Sequence, residues 1–112
     1  MAIRLVVCLI WGVCFLVPIL CRAAAQGPYT IVIKGHLFSP SPLTIPAGQK
    51  IKLTVDNQDP TAEEFESFEL NREKVVGGGK KITVYLGPLK QGTYKYFGDF
   101  HPKTAQGVIV AQ

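Results

Sequence analysis

From Tyr29 to the end of the chain, apolar and polar residues alternate in short runs, and no stretch keeps a helical period. Lys50–Asp56 is the clearest case. Ile51, Leu53 and Val55 fall on one face, Lys50, Lys52 and Thr54 on the other, the two-residue period of a half-buried strand. Lys80–Leu86 sets Ile82, Val84 and Leu86 against Thr83 and Tyr85 in the same way. Tyr29–Lys34, Leu43–Pro46, Glu64–Leu70, Thr93–Phe97 and Gly107–Ala111 complete seven expected strands. Pro46-Ala47-Gly48-Gln49 and Lys90-Gln91-Gly92 carry glycines suited to left-handed turn positions. Gly77-Gly78-Gly79 reads as a flexible turn. No strand–loop–helix unit surrounds it, so it is not a phosphate cradle. The pattern predicts one all-β domain over residues 26–112, a Greek-key β-sandwich of about seven strands.

The first 25 residues break this pattern. Leu5 to Leu20 is apolar or Gly/Pro throughout, with Arg4 before it and Arg22 after it. The run is short against the roughly 20 residues of a bilayer span, and Pro18 interrupts it. A basic start, an apolar run and the small residues Ala23-Ala24-Ala25 predict a secretory signal peptide over residues 1–25, cut before Gln26. A membrane anchor and a lipoprotein anchor at Cys21 are weaker readings; Pro18-Ile19-Leu20 is a poor lipobox. Cleavage removes Arg4, Arg22 and all three cysteines, and takes the net charge from +4 to about +2. That balance gives no reason to expect nucleic-acid binding or membrane insertion of the mature chain. It also leaves no disulfide, no thiolate nucleophile and no thiolate metal ligand.

Polar chemistry concentrates in two segments. Residues 59–73 hold Asp59, Glu63, Glu64, Glu66, Glu69 and Glu73, six of the eight acids. Gly98-Asp99-Phe100-His101-Pro102 holds one of the two histidines; the other is His36. In a strand Glu64 and Glu66 project together, and Asp99 and His101 do so if the chain stays extended. Together with His36 they form a candidate metal set of nitrogen and oxygen donors without sulfur, suited to Cu(II), iron, Mn(II) or Zn(II). The bland reading is a solvated acidic face, with Arg72 and Lys74 pairing with Glu69 and Glu73. No Ser/His/Asp or Cys/His arrangement points to a stand-alone enzyme.

Phe38-x-Pro40-x-x-Leu43-x-Ile45-Pro46-Ala47-Gly48, followed by Ile51-x-Leu53-x-Val55-x-Asn57, resembles the first half of a cupredoxin. Tyr94-x-Tyr96-Phe97-Gly98-Asp99-Phe100-His101-Pro102 and Gly107-Val108-Ile109-Val110 resemble its metal loop and last strand. The resemblance lays the blue-copper cysteine on Gly98, the second histidine on His101, the methionine near Ala105 and the first histidine within Glu64–Glu66. Without the thiolate, an ordinary type 1 blue-copper site is excluded. Glu64-Phe65-Glu66-Ser67, Asn71-Arg72-Glu73-Lys74-Val75, Gly87-Pro88-Leu89 and Phe97–Ala105 resemble the cupredoxin-like domains of bacterial periplasmic ferrous-iron uptake systems.

That narrower resemblance implies a periplasmic protein that binds copper, iron or both. It implies partners as well: an inner-membrane iron permease and a second periplasmic metal-binding protein. The cupredoxin resemblance brings His36, Glu64, Glu66, Asp99 and His101 to one end of the sandwich as expected metal ligands. Two other readings stand beside it, a copper carrier without an iron role and a metal-free interaction module.

Overall fold

The computed structural model describes residues 28–112; the expected signal peptide, residues 1–25, lies outside them. Nine strands form two sheets, with no helix among the described residues. They are β1 (Tyr29–Lys34), β2 (Leu37–Ser39), β3 (Leu43–Ile45), β4 (Ile51–Asn57), β5 (Glu63–Ser67), β6 (Arg72–Val76), β7 (Lys81–Leu86), β8 (Gly92–Gly98) and β9 (Gln106–Ala111). One sheet has the order β2-β1-β4-β7 and the other β3-β9-β8-β5-β6. β1 runs parallel to β4 with Ile31 opposite Val55, and β3 runs parallel to β9 with Leu43 opposite Ile109. The other pairs are antiparallel.

The all-β two-sheet sandwich follows from the alternation. Ile31 and Ile33, Leu53 and Val55, Phe65, Tyr96 and Ile109 turn inward from β1, β4, β5, β8 and β9 and are almost wholly buried. Removing each such side chain from water contributes about 1.5–3 kcal/mol. Phe38, Phe65 and Tyr96 form an aromatic cluster at the centre; Tyr96 lies 5.0 Å from Phe38 edge-on and 5.1 Å from Phe65 in a stack. Tyr96 lies so close over β9 that a Cβ at Gly107 would come within 2.2 Å of its ring.

Two strands, β2 and β6, lie beyond the seven expected. β2 has only three residues, too few to display alternation. In β6 the pattern is hidden because Arg72 and Lys74 carry charge on the side that faces the neighbouring sheet. Their long stems let them serve there. Arg72 Nε donates to the Tyr85 carbonyl at 2.7 Å, and Lys74 Nζ to the Thr83 carbonyl at 3.0 Å. These bonds satisfy open-edge carbonyls of β7, in place of the expected pairing with Glu69 and Glu73. Glu69 instead accepts the Lys95 amide at 2.7 Å.

β5 starts at Glu63 and ends at Ser67, where the sequence pattern suggested Glu64 to Leu70. The early start matters, because Glu63 shares the inward face of Phe65 and Ser67. The glycine turn after β6 lies close against its surroundings. A Cβ on Gly78 would meet the Pro60 carbonyl oxygen at 2.1 Å, so the turn packs tightly on the loop after β4.

Candidate metal centre

His36 sits in the two-residue loop between β1 and β2, closed by the Lys34–Leu37 pair. Gly35 and His36 both adopt left-handed backbone, with φ of 60° and 58°, the geometry of a tight hairpin turn. For a residue with a side chain this conformation is uphill by roughly 1–2 kcal/mol. Asp59 answers it from the loop after β4. Its two carboxylate oxygens accept the Gly35 amide at 2.7 Å and the His36 amide at 2.9 Å, and Oδ2 lies 3.4 Å from His36 Nδ1. The bond from the His36 amide holds the Asp59 carboxyl below its usual value, against the opposing effect of burial.

His101 comes from a compact loop between β8 and β9. Its amide donates to the Gly98 carbonyl, and its own carbonyl accepts the amides of Thr104 and Ala105. Thr104 Oγ1 donates to the His36 carbonyl at 3.1 Å, tying this loop to the β1–β2 turn. The two imidazoles stack with centroids 3.6 Å apart and planes 16° from parallel.

Glu63 completes the group from the first position of β5. Its side chain is only 2% exposed. Oε1 accepts the amides of Glu64 and Phe100, each at 2.9 Å, and Oε2 lies 2.7 Å from His101 Nδ1. A buried carboxylate needs such partners. Its place is opened by Gly98: a Cβ there would stand 2.6 Å from Glu63 Cδ and 2.7 Å from Ala105 Cβ. The space next to the position where the resemblance lays a thiolate is therefore filled by a carboxylate.

One donor atom from each of His36, Glu63 and His101 lies within 4.8 Å of the others. Metal–nitrogen and metal–oxygen bonds of about 2.0–2.2 Å set two ligands at right angles about 3 Å apart. The 2.7 Å between Glu63 Oε2 and His101 Nδ1 is close to that spacing. Oε1 is taken by two amides, whereas Oε2 shares a hydrogen bond with His101 Nδ1, whose proton a metal ion bound between them would displace. Two imidazoles and one carboxylate fit Cu(II), Zn(II) or iron and lack the soft sulfur that selects Cu(I).

Glu64, Glu66 and Asp99 form a second group, also with donor atoms within 4.8 Å of one another. Strand alternation puts Glu64 and Glu66 on the face of β5 opposite to Glu63. Glu66 stands across from Glu73 on β6, and the Asp99 amide donates to the Glu64 carbonyl at 3.0 Å. A hydrogen bond with Glu73, then burial and the charges of Glu73, Asp99 and Glu66, push Glu64 up to about 7. Burial, then Asp99 and Glu73, raises Glu66 as well.

The five residues singled out from sequence thus fall into two sets. His36 and His101 stack together; Glu64, Glu66 and Asp99 gather on the outer face. Glu63, passed over in the sequence, joins the histidines. The available signal was Phe65: a core residue there puts Glu63, two positions earlier, on the inside.

Residues 5–111 match the cupredoxin-like domain family. An uncharacterized protein of Rickettsia prowazekii (strain Madrid E) is 50% identical over 80 residues, covering 71% of this chain; the match spans 64% of the relative's length. Among solved structures, the metal-binding domain of the Cu(I) exporting P-type ATPase CopA of Streptococcus pneumoniae D39, with Cu(I), aligns with a TM-score of 0.69 at 14% identity, over 80% of this chain and 92% of that one. Amicyanin from Paracoccus versutus aligns with a TM-score of 0.62 at 15% identity, over 80% and 86% of the two chains. At such identities the structural likeness speaks for the fold. With the sequence match running almost end to end, the chain belongs to the cupredoxin-like domain family.

Proposed function

We propose that this is an exported, periplasmic copper-binding protein that assists the oxidation of ferrous iron and its delivery to an inner-membrane iron permease. The observation that carries the metal reading is the meeting of His36, Glu63 and His101 around a 2.7 Å carboxylate–imidazole contact. The fold is shared with proteins whose structures hold copper, among them the Cu(I)-bound domain of the ATPase. The iron part rests on the motifs that resemble iron-uptake domains, and on the carboxylates of Glu64, Glu66 and Asp99.

The residues divide the work. His36 and His101 supply imidazole nitrogens, and Glu63 supplies one charged oxygen from a site shielded from water. Bound Cu(II) would supply a one-electron acceptor for Fe(II). Glu64, Glu66 and Asp99 offer hard oxygen donors, which favour Fe(III) over Fe(II), and so suit iron as the cargo. The permease and a second periplasmic metal-binding protein would then receive the oxidised ion.

The test is anoxic addition of Fe(II) to the Cu(II)-loaded protein, followed by EPR. Loss of the Cu(II) signal with stoichiometric formation of Fe(III) is expected. A copper signal untouched by Fe(II) would leave a copper carrier. Failure to bind Cu(II) or iron at micromolar concentration would leave a metal-free module.

A further inference from the structure

We infer that Asp59 is the positioning residue of the metal centre: it clamps the left-handed turn that carries His36 and thereby sets the imidazole stack. The inference rests on the reading of His36 as a ligand and names what holds that ligand in place.

The turn needs a clamp. His36 occupies φ 58°, a conformation that a side chain disfavours. A residue held in such a state persists only when its surroundings over-determine it, and such residues gather at functional sites. Asp59 meets both turn amides at once, one per oxygen, at 2.7 and 2.9 Å. Charge-assisted bonds of this kind are the strong ones. Oδ2 also stands 3.4 Å from Nδ1 of His36, so the same carboxylate faces one edge of the ring.

Asp59 is itself anchored. Its amide donates to Asn57 Oδ1 at 3.0 Å, and its carbonyl accepts the Gly79 amide at 2.9 Å. Asn57 is fully buried, and its Nδ2 donates to the carbonyls of Thr61, Val76 and Gly77. The chain of contacts runs from the end of β4 and the glycine turn, through Asp59, to His36 and then across the ring stack to His101. Both oxygens of Asp59 are occupied by amides, which marks it as a support to the ligand and not a ligand. Carboxylates that orient a metal-binding histidine in this way typically contribute 10–100-fold in metal affinity.

The test uses Cu(II) as the probe on the whole protein, with Asp59→Ala, Asp59→Asn, His36→Ala and the double variant Asp59→Ala/His36→Ala. Asp59→Ala is expected to weaken Cu(II) about 10–100-fold and to reduce the nitrogen coupling in the EPR spectrum from two imidazoles to one. Asp59→Asn, which keeps one accepting oxygen, should fall between. In the His36→Ala background the Asp59 change should cost nothing more, because the two act in series. Equal weakening with and without His36, or two-imidazole coupling retained in Asp59→Ala, would overturn the inference.

A second arm needs no metal. In the metal-free protein, Asp59→Ala should strip hydrogen-exchange protection from the Gly35 and His36 amides and remove ring contacts between His36 and His101 in NMR, while β4 and β7 stay protected. Preserved protection and ring contacts would sink the clamp. If the wild type binds no Cu(II), the proposed function fails, and this arm still decides the role of Asp59.

Discussion

Gly98 shows how one missing side chain sets the chemistry of the pole. Its Cα leaves room that the Glu63 carboxyl fills, 2.6 Å from where a Cβ would lie. Gly98→Ala should therefore push Glu63 off His101 and lower stability by about 1–3 kcal/mol, as overpacking does. Urea denaturation would measure the loss, and the His101 ring signals would report the displaced carboxylate. Unchanged stability would mean that Glu63 moves aside freely and holds no fixed place. The residues themselves were unevenly legible. His36 and His101 drew attention as the two histidines of the chain. Glu63 is hidden, because the Glu64–Glu66 pair displays the outer face of β5 while Glu63 lies on the inner one. Asp59 looked like one acid among six; its partners lie 23 and 24 positions away, and no local pattern reveals such a contact.

Among the elements, the β5–β6 pair carries a pH signature. Glu64, hydrogen-bonded to Glu73, is pushed up from 4.5 to about 7. Between those values the folded protein keeps a proton that the unfolded chain has released, so stability falls as pH rises through this window and levels off above it. Asp59 acts in the opposite sense. Its carboxyl is lowered from 3.8, so the stability it contributes is present above that value and is lost as pH falls further. Denaturant midpoints should accordingly be higher near pH 5 than near pH 8, and Glu64→Gln should flatten that difference. An identical slope in the variant would contradict the assignment to Glu64.

The glycine turn between β6 and β7 makes a further prediction at the same scale. Gly78→Ala places a methyl 2.1 Å from the Pro60 carbonyl, a backbone clash that a side-chain rotation cannot relieve. We expect a loss of about 1–3 kcal/mol by urea titration, together with faster exchange of the Gly79 amide, which bonds the Asp59 carbonyl. A wild-type midpoint and wild-type Gly79 exchange would show that the turn is as pliable as three consecutive glycines suggest. Element boundaries were the least legible feature of the sequence. β2 is too short to show a period, and β6 turns an arginine and a lysine toward the neighbouring sheet because their stems reach its edge.

For the molecule as a whole, alternation and turn residues carried the sandwich into view, since burial of one face is what both the pattern and the fold express. The site was harder to read because it depends on which loops meet at one pole. Two imidazoles from the β1–β2 and β8–β9 connections, and a carboxylate from the start of β5, come from both sheets, so no single stretch of sequence shows them together. The fold is that of the cupredoxin-like family, and where the resemblance lays a thiolate the chain has Gly98 with the Glu63 carboxylate beside it. The most direct measurement is a Cu(II) titration of the wild type and of Glu63→Gln, followed by EPR and visible absorption. One equivalent should bind with two imidazole nitrogens and without the intense thiolate band, and Glu63→Gln should bind at least 10-fold more weakly, the loss of about 1.4 kcal/mol per factor of ten. Binding in Glu63→Gln equal to the wild type, or none in the wild type at micromolar Cu(II), would contradict a centre built from His36, Glu63 and His101.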